Sequence, residues 1–384
     1  MMAGLLLARA GIDVVVLEKY PDFFRDFRGD TIHPSTLEVM QQLGMLDEFL
    51  KLPHQKVDHL VGMIGADRLR IADFARLPVS APYIAMMPQW DFLDFIASHA
   101  RAYPQFRLEM NASADTLIED GGKVVGVRAT TPNGPLDIRA LLTIGADGRH
   151  STIRDRAGFT VRDLGAPMDV FWFRLSRAAI DTDDSIGHFD RGGILVAINR
   201  GTYWQCAYVF PKGASESIHA AGLEAFRAKT GSLLPFGTPD RTAEIKSWDD
   251  VKLLTVAVDR LDTWHKPGLL MIGDAAHAMS PIGGVGINLA VQDAVAAARM
   301  LAGPLRAQTV TEADLTAVQA RRMWPAQVTQ RLQVFAQNKV VTRALAGDKP
   351  MRAPAMLKLL ATTGWFRGLL GRLVGMGVRP ERVG

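Results

Sequence analysis

The chain has 384 residues, of which 48% are apolar and 22% charged, a balance that excludes disordered, collagenous and coiled-coil classes. Forty-four Lys and Arg against forty Asp and Glu leave a net +4, and the basic residues are scattered along the chain, so no nucleic-acid footprint is expected. One cysteine, Cys206, rules out an intramolecular disulfide and fits a reducing, cytoplasmic setting.

At roughly 150 residues per domain the length allows two or three units, enough to bury a core without staples. Each greasy stretch is broken by a charge before the roughly 18 residues that a bilayer-spanning helix needs, so no integral membrane segment is expected. Residues 1–17 lack a basic leader, and Arg9 and Asp13 interrupt them. They read as folded protein, not as a signal peptide.

In chain order, residues 3–10 read as a short helix closed by Gly11, and residues 12–17 as a buried parallel strand ending in Glu18. In a dinucleotide-binding βαβ unit, an acid at the tip of the second strand accepts hydrogen bonds from the adenosine ribose, about 20 residues after a glycine fingerprint. Counting back from Glu18 puts that fingerprint at or just before Met1, so the chain reads as beginning inside the unit, without its first strand and G-x-G-x-x-G loop. The competing reading makes Glu18 an ordinary strand-end charge.

Residues 141–154, LLTIGADGRHSTIR, read as an apolar strand, a Gly145-Ala146-Asp147-Gly148 turn and a helix opened by Ser151. The glycines allow close backbone approach to a ligand, and Asp147 is placed either to hold a ribose or phosphate-linked group or merely to satisfy local amides. Residues 169–176 and 193–210 carry β-rich, aromatic runs separated by an acidic turn at 181–185 and by Gly192-Gly193, the pattern of antiparallel strands. Phe171, Trp172, Phe173, Tyr203, Trp204 and Tyr208 could wall an apolar pocket or simply fill a core.

Residues 268–300 read as a strand ending in Gly273-Asp274, a loop, and a long Ala-rich helix that starts near residues 286–288. Gly283, Gly284 and Gly286 clear side chains from that helix start, leaving free amides and a positive dipole end suited to an anion or to a ring that becomes anionic. Asp274 is placed to accept from polyol hydroxyls. His277 reads as structural, and no second ligand stands at metal spacing, so no metal is expected.

Beyond residue 300, Thr311 and Asp314 form a capping box ahead of a helix that Pro325 is expected to kink or split. Arg321, Arg322 and Arg331 read as its solvated face. Residues 356–378 mix Leu, Trp and Phe with Lys and Arg, a composition also found in membrane-surface helices. Their five glycines favour packing against the body of the protein, leaving peripheral membrane contact the lesser reading.

Taken in order, these segments resemble the flavoprotein aromatic hydroxylases, the FAD monooxygenases of the p-hydroxybenzoate hydroxylase type, over nearly the whole chain. The resemblance implies cofactor-binding roles for Glu18 with Lys19 beside it, Arg28 in RGDTIHPSTLEVMQQLGML, Gln89 in MMPQWDFLDFIASHA, Asp147 with Gly148, and Gly273 with Asp274. It further implies that Gly284, Gly286, Ile287 and Asn288 face the isoalloxazine, and that the Pro281 backbone lies at the catalytic flavin and substrate face. It departs from the family in lacking the glycine loop.

The fold expected is α/β, with a Rossmann-like parallel-sheet FAD/NAD(P)-binding domain from residues 1–60, 85–160 and 255–310. An antiparallel β-sheet substrate domain from 61–84 and 161–254 is interleaved with it, and a helical region follows at 311–384. The function implied is a monooxygenase using FAD, NAD(P)H and O2 to hydroxylate or epoxidise a small aromatic or apolar molecule through a C4a-hydroperoxyflavin. Such an intermediate needs a dry, closed cavity more than an acid or base. The alternatives are a flavin reductase or dehydrogenase of the same fold, or a truncated, catalytically silent flavin-fold protein. A small-molecule substrate and a monomer or homodimer are expected.

Overall fold

The computed structural model describes residues 1–24, 31–190, 192–235, 239–345, 347 and 350–384. The first helix, Met2–Arg9, buries Leu5, Leu6 and Leu7 and ends before Gly11, whose positive φ of 78° turns the chain into the strand Val14–Glu18. That strand pairs in parallel with Phe106–Met110. Gly4 lets the helix lie tight on this pair, since a Cβ there would fall 2.6 Å from Val16 and 2.9 Å from Phe106.

A second parallel pair joins Thr143–Gly145 to Leu269–Met271, with His265–Lys266 antiparallel at its edge. Ser113–Asp120, Lys123–Thr131 and Gly134–Arg139 form a separate antiparallel meander. The helix Gly286–Arg306 packs against the first helix and buries Leu289, Val291, Val295 and Leu301. By length and composition alone, Ile282–Arg306 is apolar enough to cross a bilayer, but 61% of its most apolar stretch is buried inside the fold. It is a core helix.

The largest sheet has seven strands, in the order Lys252–Leu254, Met168–Ser176, Tyr203–Pro211, Gly193–Asn199, Ile186–Asp190, His59–Ile64 and Asp67–Asp73. It is antiparallel except where Ile186–Asp190 meets His59–Ile64. Alternation of side chains along the strands divides the aromatic residues between two faces. Phe171, Phe173, Trp204, Tyr208 and Phe210 point to the outer face, where Phe226 of the helix Leu223–Gly231 caps them. Val170, Trp172, Val196 and Val209 point the other way, against Ile282 and Val341. Of the aromatics left open between pocket wall and core, Phe171, Phe173, Trp204 and Tyr208 are core, whereas Trp172 and, by the same alternation, Tyr203 lie on the side of Ile282.

Two expectations for the C-terminal region are corrected. The capping box forms, with Thr311 N donating to Asp314 Oδ2 at 2.8 Å, but the helix Glu312–Ala336 runs through Pro325 as one element. Pro325 and Ala326 lie on its buried face, where packing outweighs the one backbone hydrogen bond that the ring removes. The irregularity comes later, as a π-turn at Gln337–Val341. Arg322 is not on a solvated face: it is fully buried, on an inward stripe with Leu315, Val318, Gln330 and Gln333.

The chain closes with two helices, Ala355–Thr362 and Gly364–Gly375, both packed on the edge strand Asp67–Asp73. Their contact face sets glycines beside Leu370 and Val374, which pack on the cluster of Phe74 and Leu77. A Cβ at Gly371 would overlap the Asp73 carbonyl oxygen, and one at Gly375 would come within 3.0–3.2 Å of Leu77, Phe74 and Pro34.

Candidate cofactor and active site

Parallel neighbours send their loops out at the same end, and in open α/β sheets ligands bind beyond the carboxyl ends of the strands. Gly145 stands beside Met271 in register, so the 146–150 loop and the Gly273-Asp274 turn emerge together. Arg154 ties them, donating to the carbonyls of Arg149 at 2.7 Å and Ala275 at 3.5 Å. Glu18 ends its own parallel strand and accepts from Tyr20 N at 3.0 Å. Its charge acts on the amine of Met1, which burial otherwise pushes towards the neutral form.

The turn before the core helix is built for backbone. Gly283 and Gly284 both have positive φ, 79° and 62°, and a Cβ at Gly284 would lie 2.5 Å from Thr31 Oγ1. Thr31 Oγ1 donates to the Gly284 carbonyl at 2.8 Å. Among the described residues no side chain caps the start of the helix Gly286–Arg306, so its dipole end is available to a ligand.

Asn288 is committed within the protein. Its Nδ2 donates to the carbonyls of Thr31 at 3.0 Å and Gly284 at 3.3 Å, while its Oδ1 accepts from His33 N at 2.9 Å and Thr36 Oγ1 at 2.7 Å. The side chain braces residues 31–36 against the helix start, which leaves the Asn288 backbone amide as its means of facing a cofactor.

Asp274 stands beside this helix start, its Oδ1 4.0 Å from where a Gly286 Cβ would be. Burial pushes its pKa above the ordinary carboxylate value, against the pull of His277 and Arg149. Among the described residues no hydrogen bond reaches its carboxylate. A half-buried acceptor without a donor, set next to an uncapped, glycine-cleared helix end, fits the polyol and ring edge of a flavin nucleotide.

The other anticipated residues divide. Gln89 opens the helix Gln89–Ala100, reached from the strand Ile84–Met86 that pairs with Thr31–Ile32, so its position follows from the Thr31 brace. Gly148, at φ 86°, faces open space. Asp147 is exposed, and its carboxylate accepts from Ser151 Oγ and, at 3.0 Å, from Ile153 N. It thus organises the start of the helix Thr152–Arg156. Lys19 is exposed, with Nζ 4.9 Å from the Tyr20 ring centre. Arg28 lies outside the described residues.

Behind the site runs a charged network that the sequence reading missed. Asp293, fully buried, accepts from Gly273 N at 3.0 Å, from His277 Nε2 at 2.6 Å and from Arg322 Nε at 2.8 Å. Burial opposes its ionisation, but His277 and Arg322 hold its pKa below the usual range. Glu381 continues the chain of contacts, accepting from Arg299 at 2.9 Å, Arg321 at 2.6 Å and Arg322 at 3.3 Å. Gln333 and Gln337 hold the segment before Pro281: Gln333 Nε2 donates to the carbonyls of Ser280 and Ile282, and Gln337 Nε2 donates to Ser280 Oγ.

Fold and site together have the form of an α/β dinucleotide-binding protein. Residues 1–332 match the family model described as FAD binding domain, and the chain belongs to that family. It is an FAD-dependent oxidoreductase, as the family resemblance implied. The chain is 30% identical over 375 residues to 6-methylpretetramide 4-monooxygenase of Streptomyces rimosus, covering 96% of this chain and 88% of that protein. It is 24% identical over 305 residues to para-nitrophenol 4-monooxygenase of a Pseudomonas species, covering 77% and 73%. Among solved structures, p-nitrophenol 4-monooxygenase from Pseudomonas putida DLL-E4 aligns with a TM-score of 0.77 at 19% identity, over 98% of this chain and 96% of that one. Anhydrotetracycline hydroxylase from Streptomyces rimosus aligns at 0.76 and 22% identity, over 100% and 75%. At such identities these two structures bear on the fold.

Proposed function

We propose that this enzyme is a monooxygenase that places one oxygen atom from O2 on a small aromatic or otherwise apolar substrate, with NAD(P)H as electron donor. The observation that carries this reading is the meeting of two surfaces: the turn at Pro281 and Ile282, next to the uncapped helix start, abuts the apolar sheet face of Val170, Trp172, Val196 and Val209. The relatives named for aromatic substrates support the same reaction class.

FAD, when bound and reduced, supplies the activation of O2. The protein's own groups do the rest. Asp274 accepts from the polyol chain, Glu18 from the ribose, and Arg28 and Gln89 contact the coenzyme between them. The amides of Gly286, Ile287 and Asn288, with the helix dipole, stabilise negative charge on the ring edge and so favour its reduced form. Gly273 and Gly284 supply the positive-φ turns that bring the backbone to the coenzyme, with Ala290 and Thr31 packed where their side chains would be, the Pro281 backbone borders the substrate, and the Trp172 face keeps water away. Asp147 and Gly148 shape the neighbouring loop. In this reading residues 1–60, 85–160 and 255–310 form the FAD domain, 61–84 and 161–254 the substrate domain, and 311–384 a helical support.

The test is isotopic. Enzyme loaded with FAD is reduced anaerobically by NADPH or NADH in the presence of a panel of phenols and fused-ring aromatics, then exposed to oxygen-18 gas. The expected product gains one labelled oxygen atom. A reduced or dehydrogenated product without label would overturn the proposal in favour of a reductase.

A further inference from the structure

The two closing helices pack on the protein through glycines together with Leu370 and Val374, yet they also turn a second set of large apolar side chains to solvent, where a surface helix ordinarily carries polar ones. Met356 and Leu359 are 73% and 68% exposed on Ala355–Thr362, and Trp365 and Leu369 are 65% and 55% exposed on Gly364–Gly375. Their spacings, i to i+3 and i to i+4, put each pair on one side of its helix. Both helices pack on the same strand, Asp67–Asp73, so the sides turned away from it make one outer face.

Charge identifies what that face meets. Residues 337–384 hold nine Lys and Arg against two Asp and Glu, a net +7 in a chain of net +4, so the remainder is acidic. Between residues 349 and 380 there is no acid at all. Lys358 is spent on Asp67 at 2.6 Å, but Arg352 and Arg372 are exposed, and Arg372 follows Trp365 and Leu369 on the same side at i+7. An anionic bilayer takes up apolar side chains, attracts a basic rim and favours Trp at the headgroup level.

We propose that this helical pair docks the enzyme on an anionic phospholipid membrane. The docking face is anchored to the site's surroundings: the Val374 carbonyl accepts from His33 Nδ1 at 2.9 Å, and His33 N donates to Asn288. The membrane-facing helices therefore hold the segment that braces the cofactor helix, on an enzyme whose proposed substrates are themselves apolar.

The FAD-loaded enzyme is floated with vesicles of phosphatidylcholine alone and of phosphatidylcholine mixed with phosphatidylglycerol. Binding is expected on the mixed vesicles only, weakening as NaCl rises. Replacing Trp365→Ser together with Leu369→Ser should lower the partition constant by about tenfold or more. Arg372→Glu, an exposed change that leaves folding intact even if the double variant does not fold, should lower it by at least about fivefold. Equal binding to pure phosphatidylcholine, no binding at low salt, or binding indifferent to both variants would each overturn the proposal. So would concentration-dependent self-association without vesicles that the same substitutions abolish, which would assign the face to a second copy of the chain.

Discussion

Asp274 is held where its charge is least comfortable, near buried Asp293 and without a donor among the described residues, and the proposed role as acceptor for coenzyme hydroxyls would relieve that. Hydrogen bonds to a charged acceptor contribute about 1.5–3 kcal/mol, so Asp274→Asn should weaken FAD binding roughly ten- to a hundredfold, read by flavin fluorescence titration. The same variant without cofactor should melt higher, because a desolvated charge is gone; unchanged FAD affinity would sink the assignment. His33 poses the opposite question. Burial lowers its pKa to about 4, only partly countered by its hydrogen bond to Val374. Above the unfolded value of about 6.5 both states are neutral, and between 6.5 and 4 the unfolded chain binds a proton that the native chain refuses. Stability should therefore fall on acidification through this window, by about 3 kcal/mol in full from this group. Melting curves at pH 7 and 4.5 should show a shallower loss in His33→Asn.

At the scale of elements, the helix Glu312–Ala336 shows what pattern reading captures and what it misses. Its start was legible because a capping box is local chemistry between Thr311 and Asp314. Its inner stripe was not, because Arg322, Gln330 and Gln333 are polar and an apolar-periodicity reading assigns such residues to water. Arg322 is buried because Asp293, 29 residues away, and Glu381, 59 residues away, come to meet it, and no local spacing encodes such meetings. Breaking a buried ion pair from one side costs about 3–5 kcal/mol. Urea unfolding of Arg322→Ala should show a loss of that size, whereas Arg331→Ala, on the exposed side of the same helix, should stay within about 0.5 kcal/mol of the parent.

Across the whole molecule, the buried network links the last turn of the chain to the coenzyme loop. Glu381 gathers Arg299, Arg321 and Arg322, and Arg322 reaches Gly273 N through Asp293. Glu381→Gln removes the carboxylate that three guanidinium groups share, leaving Asp293 as an anion for Arg322 alone. It should cost about 2–3 kcal/mol and speed hydrogen exchange both in residues 376–384 and at the Gly273 amide. Faster exchange at the terminus with no change at Gly273 would show that the two ends are not coupled.

Taken alone, the order of amino acids carried the α/β FAD-binding fold and the local elements on which the site proposal rests: the strand ending at residue 18, the glycine turn at 145–148, the Gly273-Asp274 tip and the glycine-led helix. Each is a short-range pattern of strand, turn and helix start, and turn geometry and helix ends are decided by neighbours in the chain. Which aromatics fill the core and which face the site, why Asn288 and Asp147 spend their side chains on the protein, and which way the C-terminal glycines turn were decided only on folding. Those outcomes depend on what packs opposite a residue, and its partner there lies tens or hundreds of positions away along the backbone.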